Sequence, residues 1–407
     1  MVLAMAMGIA ALVWLNYRFA VNAPGGVEFA SNWLGFQTLL KKGGSPYGEE
    51  AARAVQNMMY GHVARGNEAA LRVTAPIYAL LVFFPFSLIA DFALARALWM
   101  AVLECALLFL AFLSLRLVEW RPKPVILALY LVFCVFWYHT VWSLIDGSLS
   151  ILAALAVTGA LLALKNRFDE LAGVLLALAT IRIEAFALLL VLIFYWALRH
   201  RRWQVIFWFW AVVALLVIAG ILIMPNWVLQ NLVSVVQYLK SARLTTFREA
   251  LVYYVPGIGG RIGLVTSYVL ALILLLEWSL GVRARFRGFV WAVCLTLLAG
   301  LWIGIPTSTN NFVVLIPALA LVFSLWEERW RRVGTGFVVV SMLLLLAGGW
   351  ALFLDTYEIV GQSASSAMMY FPLPVYLYVF LYWVRWWAFQ PPRVWLDEIS
   401  ELEQAKR

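Results

Sequence analysis

Apolar runs of helical length recur along the whole chain and leave few folds open to it. Residues 205–224 and 337–354, for example, are almost entirely hydrophobic, and about 20 such residues cross the hydrocarbon core of a bilayer as one helix. The hydrophobic fraction is 65% and the charged fraction 13%, which excludes an ordinary soluble domain. The alternation typical of a membrane β-barrel is missing. The sequence therefore predicts an all-α, polytopic integral membrane protein.

Lys and Arg are concentrated in every second turn between the apolar runs. Short cytoplasmic loops retain positive charge, so these turns are predicted to face the cytoplasm. The intervening turns around Asp146, Pro306 and Glu358 carry no Lys or Arg and are predicted to face outward. Topology explains most of the net charge of +9, so anionic membrane lipids are expected partners and nucleic acid is not. The basic clusters are Arg116/Arg121/Lys123, Lys165/Arg167, Arg199/Arg201/Arg202, Arg283/Arg285/Arg287 and Arg329/Arg331/Arg332.

About 12 transmembrane helices with both termini in the cytoplasm satisfy this charge pattern. We expect one transmembrane domain over residues 1–390 and a polar cytoplasmic tail over 391–407, in a multi-pass protein of a bacterial cell membrane. The first run has no basic leader and no clear cleavage site, so we interpret it as an uncleaved anchor. The predicted spans are residues 3–19, 92–117, 124–138, 148–164, 170–180, 185–198, 205–224, 263–280, 289–304, 311–326, 336–354 and 373–389.

Three other segments are assigned to the outer face. Residues 21–73 and 225–261 are the longest polar stretches and are predicted to be outer loops with helices that lie along the membrane surface. Residues 75–90 are apolar, but counting them as a span would invert every later loop. We predict a re-entrant or surface-lying helix there, and Pro76 and Pro85 near its ends suit a broken segment.

Ionisable residues at the predicted outer ends are the candidates for chemistry. Glu28 follows the first span closely and is either a general base or an acid that complements the dipole of a helix start. Asp146, before Gly147, is either a turn residue or a contact to a ligand. Arg182 and Glu184 lie near membrane depth, where ionisable residues are functional candidates, although a local ion pair would also satisfy them.

Four basic residues of the second outer loop, Arg243, Arg248, Lys240 and Arg261, are candidates for phosphate binding, because a guanidinium in particular matches phosphate oxygens. They could equally bind lipid headgroups. The three cysteines fall in predicted spans, and no disulfide, zinc, phosphate-loop or catalytic-triad spacing is present. We therefore expect no metal and no cofactor.

The order of several short motifs resembles glycosyltransferase family 87, whose members have the GT-C fold and use polyprenyl-phosphate sugars. The resemblance covers residues 21–323. The chain differs from the family's usual residues at four places. Glu28 stands where the family usually has Asp, Ala75 where it has Tyr, and Arg182-Ile183 where it has Lys-Pro. Near Asp146-Gly147 the family usually has Gly-Gln or Gly-Asn. The motifs are Glu28-Phe29, Gly44-Ser45-Pro46-Tyr47, residues 75–80 (Ala-Pro-Ile-Tyr-Ala-Leu), 95–99 (Ala-Arg-Ala-Leu-Trp), 144–148 (Leu-Ile-Asp-Gly-Ser), 171–173 (Leu-Ala-Gly) with Ile181-Arg182, and 306–311 (Pro-Thr-Ser-Thr-Asn-Asn) with Pro317.

The resemblance implies transfer of a sugar, such as the hexose mannose, from a polyprenyl-phosphate donor to a lipid or glycan acceptor on the external face, with inversion. Glu28 would be the catalytic base, and an outer cavity would form from distant loops. A transporter or flippase of lipid-linked sugars and a divergent non-catalytic member are the alternatives; the chain shows no convincing internal repeat of the transporter type. The predicted substrate-binding residues are Tyr47, His139, Asp146, Arg182, Glu184, Arg243, Arg248 and Asn310.

Overall fold

The computed structural model describes residues 2–23, 25–65, 68–241, 246–303, 308–360 and 367–389. All regular structure in these ranges is helical. Short 3-10 segments at Ile77–Ala79, Ala179–Arg182 and Thr309–Leu315 and a π-turn at Leu344–Gly348 connect the helices. The α-helices are α1 Val2–Asn22, α2 Val27–Lys42, α3 Glu49–Tyr60, α4 Leu80–Ser87, α5 Phe92–Leu117, α6 Pro124–Phe136, α7 Tyr138–Asp146, α8 Ser150–Lys165, α9 Asp169–Leu178, α10 Ile183–Arg199, α11 Trp203–Ile223, α12 Trp227–Ser241, α13 Phe247–Tyr254, α14 Gly259–Gly281, α15 Phe286–Ile303, α16 Ile316–Leu343, α17 Gly349–Val360, α18 Ala367–Tyr370 and α19 Pro372–Phe389.

Six helical segments among the described residues are long and apolar enough to cross a membrane. A seventh is present if α6 and α7, which meet at an angle of 48°, form one bent span. The prediction of a polytopic helical membrane protein is confirmed, whereas the number twelve is not. The six segments are Phe92–Leu117, Asp169–Arg199, Trp203–Ile223, Gly259–Gly281, Phe286–Ile303 and Thr309–Thr356.

Two of these segments each contain two of the predicted spans. Asp169–Arg199 contains α9 and α10, which meet at Arg182, whose φ of −135° and ψ of 57° are not helical. Asp169 pairs with Arg202, so the start of α9 and the end of α10 lie at the same end of the bundle. Thr309–Thr356 is interrupted at Arg331, whose φ of 47° and ψ of −112° are not helical. A Cβ on Gly334 would overlap the Trp326 carbonyl, so the chain folds back tightly at the predicted basic turn.

The five basic turns lie together at one end of the bundle, which we name the basic end. Lys165 pairs with Glu119 at 2.8 Å, and Arg202 donates to the Leu164 carbonyl at 2.8 Å. Arg287 donates to Glu328 at 3.1 Å, and Trp120 donates to Glu327. These contacts connect the turns at 116–123, 165–169, 199–202, 283–287 and 327–332.

The opposite end carries the predicted outer segments. Helix α4 has eight residues, about 12 Å of helix, which is too short to cross the hydrocarbon core. The side chains of Trp33 and Gln37 on α2 donate to the Phe86 and Ile89 carbonyls at 2.9 and 3.1 Å, which fixes α4 against α2. Whether residues 75–90 re-enter the membrane stays a prediction.

Helix α12 is amphipathic, with its polar side facing the protein. Asn231 donates to the Thr74 carbonyl at 3.0 Å, and Ser234 donates to the Val73 carbonyl at 2.7 Å. On the other side Leu229 and Leu232 are 67% and 61% exposed. This orientation suits a helix with its apolar face toward lipid, and it directs the inner face of α12 toward the polar cluster described next.

Candidate active site

Glu28 lies in the first turn of α2, at the end of the bundle opposite the basic end. Gly25 and Gly26 precede the helix with φ of 125° and 78°, a conformation that favours glycine. The backbone N–H of Glu28 donates to Asp146 Oδ1 at 3.2 Å. Asp146 therefore caps α2 from another helix, satisfying one of the N–H groups that a helix start leaves open.

The Glu28 carboxylate is held by two donors. Its Oε1 accepts the Leu149 backbone N–H at 3.0 Å, at the start of α8, and its Oε2 pairs with the Arg182 guanidinium. The side chains of Glu28 and Arg182 are 17% and 14% exposed. The pair is thus largely enclosed.

Arg182 ends the 3-10 turn that joins α9 to α10. Its Nη1 donates to Glu184 at 2.9 Å, and its Nη2 contacts both Glu28 and Ser148 Oγ, the latter at 3.1 Å. Because Glu184 lies in the first turn of α10, its carboxylate also complements that helix dipole. The two carboxylates and one hydroxyl fix the guanidinium in place.

Asp146 connects Glu28 to the late outer turn. Its Oδ2 accepts from the Asn310 side-chain amide at 2.8 Å, and Ser143 donates to the Asn310 carbonyl at 2.6 Å. Next to them, Ser150 donates to Asn311. Both oxygens of Asp146 are therefore occupied by groups that hold the fold, which favours a positioning role for this residue.

Three residues that the sequence analysis did not select belong to the same cluster. Arg96 is fully buried, donates to the Ala23 and Ile145 carbonyls at 2.9 and 3.1 Å, and lies close enough to Asp146 to stabilise its charge. Ser148 contacts Arg182, and Tyr238 on α12 faces the charges of Arg182 and Glu28. The available signal for Tyr238 was its helical spacing from Asn231 and Ser234.

Burial dominates the electrostatics of the cluster. It raises the pKa of Glu28 above the usual value; the Arg182 charge opposes this rise and the Asp146 carboxylate adds to it. Burial likewise raises the pKa of Tyr238 to about 12, so its hydroxyl keeps its proton at neutral pH. A carboxylate with a raised pKa is a better proton acceptor, as a general base requires.

Other predicted site residues lie in different surroundings. Tyr47 is buried and donates to the Ala75 carbonyl at 3.0 Å, so it joins two outer segments. His139 is buried among rings, 4.9 Å from the Phe312 centroid and 5.0 Å from that of Trp137. In the described part of the chain, no group of three or more His, Cys, Asp or Glu is arranged to hold a metal.

Two arginines of the second outer loop, Arg243 and Arg248, do not join the cluster in the described structure. Arg248 is exposed on α13 and lies against Gly260, and none of the described contacts joins it to Glu28 or Arg182. Arg243 lies outside the described residues, as do Pro306 and Thr307 of the late outer turn. The described cluster therefore contains five of the predicted residues, Glu28, Asp146, Arg182, Glu184 and Asn310.

A bundle of apolar helices with a carboxylate–guanidinium cluster at the end opposite its basic turns defines a polytopic integral membrane protein. Residues 74–288 match the model of glycosyltransferase family 87, and the chain belongs to that family. It is therefore a membrane glycosyltransferase. The match includes Asp146, Arg182 and Tyr238 and begins after Glu28. Neither the curated proteins nor the solved structures gave a match.

Proposed function

We propose that this glycosyltransferase moves a sugar from a polyprenyl-phosphate donor to an acceptor hydroxyl at the outer face of the membrane, with inversion. The observation that carries the proposal is the ion pair between Glu28 and Arg182 at the end opposite the basic turns. It brings a carboxylate that can accept a proton and a cation that can bind a phosphate to one place.

Glu28 is the general base of this proposal. Its carboxylate is held by the Leu149 N–H and by Arg182, so its orientation toward an incoming hydroxyl is fixed. The acceptor oxygen loses its proton to Glu28 as it attacks the anomeric carbon, and the phosphate leaves from the opposite side of the sugar. Such a base typically contributes about 10²–10⁴-fold to the rate.

Arg182 supports departure of the phosphate. The bond from the anomeric carbon to the phosphate oxygen breaks, both electrons stay on that oxygen, and the phosphate gains one negative charge. A guanidinium stabilises such a charge through paired N–H donors. Tyr238 and Ser148 add hydroxyl groups beside it, which can hydrogen-bond the sugar or the phosphate.

The outward orientation rests on the distribution of charge. Cytoplasmic turns carry Lys and Arg, so the basic end belongs in the cytoplasm and the Glu28 cluster at the external surface. A lipid-phosphate donor suits this location, because its tail remains in the bilayer while its sugar reaches the interface. The expected sugar is a hexose such as mannose, and the expected acceptor is a lipid or glycan hydroxyl.

The test is a comparison of donors with the purified full-length chain in liposomes. A radiolabelled short-chain polyprenyl-phosphate mannose and GDP-mannose are offered separately with a membrane-lipid extract as acceptor. We expect labelled product from the lipid-phosphate donor only, with inverted anomeric configuration. Transfer from GDP-mannose alone would overturn the donor assignment. Movement of intact donor between leaflets without transfer would favour the flippase alternative.

A further inference from the structure

Arg182 serves two groups whose charges change in the proposed reaction. In this structure its Nη2 contacts the Glu28 carboxylate and its Nη1 contacts Glu184 at 2.9 Å. The phosphate therefore meets a guanidinium that is already bound by two carboxylates. This arrangement raises the question of when Arg182 becomes available to a phosphate.

The charges around the pair restrict the answer. Among the described residues of the cluster, Glu28, Asp146 and Glu184 are acids, Arg182 and Arg96, which lies beside Asp146, are cations, and Tyr238 is neutral. With all three acids ionised, the cluster carries one surplus negative charge. Removing Arg182 from Glu28 would leave that carboxylate enclosed next to Asp146 without its cation, and an unpaired enclosed charge is strongly unfavourable.

We infer that Arg182 is transferred from Glu28 to the departing phosphate as Glu28 takes up the acceptor proton, so that one side chain couples the base to the leaving group. This inference rests on the proposed function. The acceptor O–H bond breaks and its proton goes to Glu28 Oε2; the oxygen's electron pair forms the new bond to the anomeric carbon. Glu28 changes from −1 to 0 while the phosphate changes from −1 to −2, so the total charge of cluster and substrates is constant.

Glu184 and Ser148 keep Arg182 in position during this exchange. Arg182 donates to Glu184 at 2.9 Å and to Ser148 at 3.1 Å, and these two hydrogen bonds need not break when Glu28 becomes neutral. Glu184 is accordingly a positioning residue. A guanidinium suits the exchange because its N–H donors are arranged in a rigid fork that can contact two acceptors at once.

The exchange predicts that a phosphate and an ionised Glu28 compete for Arg182. The probe is short-chain polyprenyl phosphate, the product of the proposed reaction, titrated calorimetrically into the purified full-length chain at pH 8.5. The free phosphate is then a dianion, since its second pKa is about 6. Buffers of different ionisation enthalpy give the number of protons taken up on binding. We expect uptake approaching one proton per phosphate bound.

Replacing the base tests the source of that proton. In Glu28→Gln the side chain keeps an oxygen that can accept from the Leu149 N–H. It has no negative charge, so it does not compete with the phosphate for Arg182. We expect this variant to bind polyprenyl phosphate more tightly, roughly 5- to 150-fold as for other coupled sites, and without the proton uptake. Glu50→Gln, at an exposed ion pair with Lys42, is the matched control and should behave as the unaltered chain.

The outcomes separate the two proposals. If neither the unaltered chain nor the variants bind polyprenyl phosphate, the proposed function fails and the exchange fails with it. Binding without proton uptake, or with equal affinity in Glu28→Gln, would overturn the exchange and leave the donor assignment standing. Even if Glu28→Gln does not fold, the number of protons that the unaltered chain takes up on binding polyprenyl phosphate tests the exchange.

Discussion

Glu28 and Asp146 are neighbouring carboxylates that the fold uses differently. Asp146 accepts from the Glu28 backbone and from the Asn310 amide, so both of its oxygens hold the site together. Glu28 is bound by one backbone N–H and by the side chain of Arg182, which Glu184 and Ser148 also hold. We therefore propose that Glu28 carries the chemistry and that Asp146 positions Glu28.

The pH dependence of transfer tests this division of roles. A base must be ionised, so activity should fall as the pH drops through the Glu28 pKa, which burial raises above the usual glutamate range. Asp146 adds to that rise; Asp146→Asn should therefore shift the acid limb of kcat/KM to lower pH. It should also lower the plateau by up to roughly 10²-fold, because the base is displaced.

Measuring kcat/KM across the acid limb checks both effects, with Glu50→Gln as the control that should leave the limb in place. An acid limb that moves to higher pH in Asp146→Asn, or stays where it was, would contradict the assignment of Glu28 as the base beside Asp146.

At the level of secondary-structure elements, the ends of four helices converge on the cluster. The starts of α2 and α8 each direct an N–H group toward a carboxylate, the first turn of α10 carries Glu184, and the end of α7 supplies Asp146. Gly147 makes this convergence possible: its φ is 73°, and a Cβ there would lie 2.6 Å from Phe29 Cβ. Its carbonyl also accepts from Trp99 at 2.9 Å.

Comparing alanine substitutions at two glycines measures what the close approach of Gly147 to Phe29 contributes to stability and activity. Gly147→Ala and Gly61→Ala both place alanine at positive φ, which costs about 1–2 kcal/mol, but a Cβ at Gly61 meets nothing within 4 Å. We expect thermal unfolding in detergent to show a larger loss of stability for Gly147→Ala. Sugar transfer should decrease only in that variant, since the start of α2 is displaced. Equal loss of both properties in the two variants would refute the role of this contact.

The sequence was sufficient to predict several elements and to select five residues of the cluster, because local chemistry marks them. The span at 92–117 agrees with α5, and Glu28, Asp146, Arg182 and Glu184 stand out as rare charges next to apolar helices. Arg96 and Ser148 were not selected because tertiary packing brings them to the cluster, and Tyr238 was marked only by its helical spacing from Asn231 and Ser234. The reversal at Arg331 was expected from charge, and the break between α9 and α10 at Arg182 agrees with the two separate spans predicted at 170–180 and 185–198.

At the scale of the whole molecule, the two ends are separated by about the thickness of a bilayer. From Arg96, near the cluster, to Arg116, at the basic end, α5 runs for 20 residues, or about 30 Å. This distance is about the thickness of the hydrocarbon core of a typical membrane. Basic turns at one end and the polar cluster at the other therefore place the proposed chemistry at a single surface.

Cysteine labelling in intact cells tests that orientation. In a background without Cys105, Cys134 and Cys294, Glu50→Cys should react with an impermeant maleimide added outside, and Arg285→Cys only after permeabilisation. Both positions are exposed, so accessibility depends on the side of the membrane. External reaction at residue 285 would reverse the topology and move the site to the cytoplasm.

The most direct test of the whole account is the rate of sugar transfer from polyprenyl-phosphate mannose by Glu28→Gln. Gln keeps the size of the side chain and its contact to the Leu149 N–H but cannot take the proton. We predict a loss of about 10²–10⁴-fold in kcat in a protein that still folds and inserts, while Glu28→Asp retains measurable transfer. Full activity in Glu28→Gln, together with its loss in Asp146→Asn, would show that the base is Asp146 and contradict the account.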